Sequence, residues 1–117
     1  MEELIYKVCA QAAWENACQS GHFTGSTDDL RDGYIHFSTA EQLEGTLAKH
    51  FAGQADLVLV QVDPRALAME VRWEASTSGK LYPHLYGPLP TAAAVRVSPL
   101  ALGADGHHSL PEGFDAC

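Results

Sequence analysis

The chain has 117 residues, which at the usual ~100–200 residues per domain means one domain, large enough to bury a core without metal or disulfide staples. An apolar fraction of 46% and a charged fraction of 19% exclude a disordered composition, and no run approaches the ~18 consecutive apolar residues of a membrane helix. Lys and Arg number 7 against 15 Asp and Glu, and the resulting charge of −8 repels nucleic acid and anionic membrane surfaces at long range.

Leu4 to Cys9 is β-branched and aromatic and predicts a first strand. Ala10 to Ser20 places Ala10, Ala13, Trp14, Ala17 and Cys18 on one helical face, with Gly21 where a helix end favours a left-handed residue. His22 to Asp32 is small and polar and reads as a loop carrying Asp28, Asp29, Arg31 and Asp32. Gly33 to Phe37 predicts a second strand, with Tyr34, His36 and Ser38 on one face and Ile35 and Phe37 on the other. Two capping boxes are open at the helix that follows, Ser38 with Glu41 or Thr39 with Gln42. Leu43, Leu47 and Phe51 form its buried stripe, and Gly53 ends it.

Leu57 to Val62 is nearly continuous apolar sequence, the pattern of a central strand covered on both faces. Pro64 to Leu67 predicts one helical turn. Met69 to Glu74 alternates, with Met69, Val71 and Trp73 on one face and Glu70, Arg72 and Glu74 on the other. Ser76 to Lys80 reads as a loop. Leu81 to Pro88 is extended and aromatic, and its prolines argue against a regular central strand. Ala93 to Ser98 alternates as the final strand, and residues 103–117 read as a flexible C-terminal tail after a single domain over residues 1–102. Five or six strands and two main helices, both in the first half, define an α+β chain with a mainly antiparallel or mixed sheet.

Cys9, Cys18 and Cys117 are an odd set without metal or redox spacing, and Met1-Glu2-Glu3-Leu4 is acidic where a signal peptide is basic. Both features read as a cytoplasmic protein with reduced thiols. Six histidines contain no helical His-x-x-x-His pair, so no metal site is expected. Chemistry concentrates elsewhere. His36, Ser38 and Thr39 at a helix start suit an anion, although a cap and an ordinary strand histidine account for the same residues. Tyr82, His84 and Tyr86 on a proline-stiffened segment could wall a planar ring or be buried in the core. Arg72 and Glu74 share a strand face and could position a charged ligand or form a plain surface pair.

Ile5-Tyr6-Lys7, Trp14, Ala17, Gly21, Asp32 through Thr39, Gln42, the Asp56-to-Asp63 run and Tyr82 through Leu89 together resemble the bacterial domain-of-unknown-function family 952, over roughly residues 4–98. The resemblance implies an ADP-ribosyltransferase-like fold, a split and largely antiparallel sheet around a nucleotide-sized cleft, in a family without an established reaction. The layout is also similar to RNA 2′-phosphotransferases, which use NAD. Lys7 then stands where those enzymes place a histidine, and Asp32 where they place an arginine. On that likeness NAD or another ADP-ribose-type nucleotide would bind at Lys7, Ser38 and Thr39, with Arg72 also in the site and Tyr82, His84 and Tyr86 packing on the base. His36 and Glu74 would be catalytic, Glu74 stabilising positive charge at the ribose. A non-catalytic module for a small anionic metabolite and a protein-interaction domain stand as alternatives.

Overall fold

The computed structural model describes residues 4–76 and 79–111. Residues 77 and 78 of the Ser76–Lys80 loop, and 112–117 of the expected tail with Cys117, lie outside the described residues. Strand β1 (Ile5–Ala10) runs into helix α1 (Gln11–Ser20), which ends where Gly21 adopts φ +92° and its N–H reaches the Ala17 carbonyl. That conformation is costly for a residue with a Cβ. Strand β2 (His22–Phe23) and helix α2 (Thr27–Asp32) follow, then β3 (Ile35–His36), α3 (Leu43–His50) and β4 (Leu57–Val62). A 3₁₀ turn at Pro64–Ala66 leads to β5 (Val71–Ala75), β6 (Leu81–Leu85) and β7 (Leu89–Pro90), and a second at Thr91–Ala93 leads to β8 (Ala94–Leu102) and β9 (His108–Ser109).

Every strand pairing among the described residues is antiparallel. One sheet has the order β1-β4-β8-β9, a second β3-β6-β5, and β2 pairs with β7. Reciprocal bonds of 2.8 Å between Tyr6 and Ser38 stitch the two larger sheets, giving a curled half-barrel with three helices in an α+β fold. Strand β4 is central and buried on both faces, as its apolar run predicts. Val58, Val60 and Val62 join Ile5, Trp14 and Phe23 in one core, while Leu57 and Leu59 join Leu43 and Leu47 of α3 in the other. No helix among the described residues is long and apolar enough to cross a membrane.

Among the described residues four points differ from the sequence reading. There are three α-helices rather than two, because Ser26 and Asp29 close a capping box inside the segment read as loop. Nine strands replace five or six, the additions being mostly two-residue pairings. Strand β6 is the centre of its sheet although it contains Pro83. The proline fits because its carbonyl accepts from Phe37 N–H at 3.0 Å, so its backbone groups face β3. The missing N–H therefore falls where β3 runs out, and no bond toward β5 is lost. Residues 103–111, read as part of the tail, turn back as β9 onto the end of β8, and His108 Nε2 lies 2.7 Å from the Gln54 carbonyl.

The second sheet has one face on the core. Val71, Leu85 and Ile35 stand opposite one another across β5, β6 and β3, and Leu85 and Ile35 are fully buried. Leu85→Ala should lower stability by about 2–5 kcal/mol in urea denaturation. Leu81→Ala, on the same strand but exposed, should change it by less than about 0.5 kcal/mol.

Candidate functional site

One residue further along each strand, the alternation turns three polar side chains the other way. Arg72, His84 and His36 are direct cross-strand partners over β5, β6 and β3. His36 and His84 form a closely spaced pair, their rings 5.4 Å apart edge to face. Tyr34 lies on His84 with ring centres 4.1 Å apart, and is 4.6 Å from His36 and 5.0 Å from Tyr86.

Glu74, two residues beyond Arg72, ties the row together. Its Oε1 accepts from His84 Nδ1 at 2.8 Å and from the Tyr86 hydroxyl at 2.7 Å. The bonds from Tyr86 and then His84 hold the Glu74 carboxyl below its ordinary value, and the same bond raises the Tyr86 phenol. An ionised carboxylate only accepts, so His84 donates through Nδ1 and leaves Nε2 with no protein partner among the described residues. The Arg72 guanidinium lies 4.7 Å from the Tyr86 ring centre, and no carboxylate among the described residues pairs with it. Tyr82 stands opposite Glu74 and is half-buried.

At the β3 edge the arrangement is fixed from beneath. Asp29, on α2, is 2% exposed and accepts from Lys7 Nζ at 2.8 Å, from His36 Nδ1 at 2.6 Å, and from the backbone N–H groups of His36 and Ser26 at 3.1 and 2.9 Å. Burial pushes its carboxyl up, but the His36 bond, the Lys7 charge and the Ser26 bond outweigh that and hold it well below the carboxylate range. Lys7 is 5% exposed, between Ile5 and Cys9, and its charge is spent on Asp29. Cys9 beside it is buried too, and burial pushes its thiol up to about 11, so it is inert at neutral pH. His36 Nε2 faces outward to Asp32 Oδ2 at 3.0 Å, and Arg31 Nε meets Asp32 Oδ1 at 2.9 Å.

The sequence-derived residues thus divide. His36, Arg72, Glu74, Tyr82, His84 and Tyr86 share one face of β3-β6-β5. Lys7 touches that group only through Asp29. Ser38 is covered by α3, its Oγ 2.8 Å from Thr46 Oγ1, and Thr39 closes the capping box with Gln42. The helix-start N–H of Thr39 is therefore already taken by Gln42 Oε1 at 3.0 Å. The residues that sequence reasoning passed over are Asp29, Asp32 and Tyr34. Ser26-x-x-Asp29 was the available signal for the first, and the alternation Tyr34, His36 for the last. No group of three His, Cys, Asp or Glu side chains that could hold a metal ion occurs among the described residues.

Of two concave regions, only the second borders these groups. One of about 560 Å³ lies between α3 and the β8–β9 hairpin, with Glu44, Ala48 and His107 in its wall. The other, about 240 Å³, is bounded by Leu30, Tyr34, Ile35, Leu85 and Pro88, and so shares Tyr34 with the row.

Breaking the buried pair on one side leaves an uncompensated charge. Asp29→Ala should cost about 3–5 kcal/mol in denaturant, and Lys7→Met combined with Asp29→Ala much less. Because the Asp29 pKa is depressed on folding, its contribution is complete above the unfolded value near ~4 and declines as pH falls through the folded value. The double variant should lose less stability than the parent between pH 5 and the acid limit of folding, as read by urea midpoints.

With this geometry in place, comparison with known proteins gives a consistent answer. The profile of the family described as "Protein of unknown function (DUF952)" matches residues 8–97. The crystal structure of protein CC0527 from Caulobacter crescentus is similar at 46% identity and a TM-score of 0.85, over 91% of this chain and 93% of that one. The solution NMR structure of the same Caulobacter protein is similar at 47% identity and a TM-score of 0.79, over 89% and 90%. No curated protein matches. The chain belongs to the DUF952 family.

Proposed function

We propose that this member of the DUF952 family binds a small anionic ligand carrying a planar ring, of the nucleotide type, across the outer face of β3-β6-β5, within an ADP-ribosyltransferase-like fold. One observation carries the reading. The Arg72 guanidinium sits cross-strand from His84 and has no hydrogen-bond or salt-bridge partner among the described residues, its charge reaching Glu74 only at longer range. In a chain with a net charge of −8, an arginine left without a salt bridge is a place for an anion that is not part of the protein. Tyr86 lies against the guanidinium and Glu74 orients the His84 ring in advance, which lowers the ordering cost of binding. The groove behind Tyr34 gives a planar base apolar walls next to the polar row.

Within this reading Lys7 acts as a buried counter-charge that orients Asp29 and, through it, His36, and the ligand's anionic group falls to Arg72. Glu74 has spent one oxygen on His84 and Tyr86. A group transfer from NAD would use its other oxygen against the positive charge that develops on the ribose as nicotinamide departs. The use of Glu74 as an orienting group favours binding without turnover as the second reading. An interaction domain built on Tyr82 to Leu89 is disfavoured, because Leu89 is buried in the core and Tyr86 is bonded within the fold.

Thermal unfolding with AMP, ADP-ribose and NAD is the test. A ligand at ~100 times its Kd should stabilise the protein by about 2.7 kcal/mol. Arg72→Gln, an exposed substitution that leaves the stem in place, should weaken binding at least about tenfold, as expected for a lost charge-assisted contact. Release of nicotinamide from NAD, followed by chromatography, separates turnover from binding. No stabilisation by any of the three would refute the reading.

A further inference from the structure

The three carboxylates on the row are not equally held. Asp29 is buried and gripped by four donors, and Glu74 is gripped by two. Asp32 is different. Its side chain is 29% exposed, and its partners are Arg31, 66% exposed, and the outer nitrogen of His36. It sits in the last turn of α2, just before the C-cap Gly33, where the helix dipole disfavours negative charge. Exposed ion pairs of this kind contribute little to stability, so this carboxylate can leave at small cost.

We infer that Asp32 fills a second anion subsite, formed by His36 Nε2 and Arg31, that a ligand's own anionic group takes over by displacing it. This rests on the site reading above and specifies the ligand class. Arg72 and His36 are at opposite ends of a row two inter-strand spacings long, roughly 10 Å at the backbone. The site therefore suits a ligand with two separated anionic groups, one on Arg72 and the other on His36 and Arg31. Asp28, 3.3 Å from Arg31 Nη1, keeps that guanidinium nearby once Asp32 has swung away.

The probes are adenosine monophosphate and an adenosine bisphosphate whose phosphates lie on different sides of the ribose, titrated by calorimetry into the wild-type chain, Asp32→Asn and Asp28→Asn. Both substitutions remove one negative charge from the same exposed helix, but only the first frees His36. The bisphosphate should bind wild type more tightly than the monophosphate. Asp32→Asn should tighten the bisphosphate by about tenfold and the monophosphate by less than about threefold, and Asp28→Asn should change the bisphosphate by less than about threefold. Equal gains in the two variants would mean a general field effect and overturn the inference. So would equal binding of the two nucleotides to wild type and Asp32→Asn, with the Arg72 dependence intact, and in that case the site reading stands. Binding of neither nucleotide by any of the three proteins overturns both.

Discussion

The register of three short antiparallel strands decides what this molecule offers to solvent. Along β3, β6 and β5 the side chains alternate, and the pairing sets Ile35, Leu85 and Val71 in one row and His36, His84 and Arg72 in the next. The first row is part of the core. A slip of one residue would turn two histidines and an arginine into the apolar core and move three aliphatic side chains out of it, so the hydrophobic term that stabilises the sheet also dictates the polar row. The site is a by-product of core packing in the sense that its strand residues are set by the same register as the core, with Tyr34 and Tyr86 added from the residues that flank β3 and β6.

Two kinds of acidic group then give the row its character. Asp29 is structural. It neutralises a buried lysine, and an unpaired buried ammonium is among the more expensive things a small domain can contain. Glu74 is at the surface and its value is directional. By accepting from His84 and Tyr86 with one oxygen, it decides which imidazole nitrogen is occupied and which is left without a protein partner among the described residues. This is the arrangement by which carboxylates orient histidines in catalytic and metal sites alike. Here it leaves an acceptor nitrogen next to an unpaired guanidinium.

Much of this was legible in the sequence where a single period governs a segment. The apolar run of β4, the end of α1 at Gly21 and the shared face of Arg72 and Glu74 all follow from alternation or from turn chemistry. What was not legible depends on partners far along the chain. Pro83 is tolerated in a central strand because β3 ends opposite it, which no local pattern around Pro83 reveals. Lys7 sits in a strand whose other inward positions are apolar, and only the fold shows that Asp29, twenty-two positions away, meets it. Ser38 looked equivalent to His36 by spacing, yet α3 covers one and leaves the other. Helix α2 was hidden because its capping box uses Asp where Glu or Gln is the usual signal.

The claim on which the rest turns is that Glu74 fixes the His84 ring with Nδ1 donating to it and Nε2 left without a protein partner among the described residues. Long-range nitrogen–proton correlation spectra of the histidine-labelled chain report which ring nitrogen carries hydrogen. The account predicts that neutral His84 bears its hydrogen on Nδ1, and that Glu74→Gln shifts its resonances more than those of His107. A neutral His84 carrying its hydrogen on Nε2, indifferent to Glu74, would contradict it.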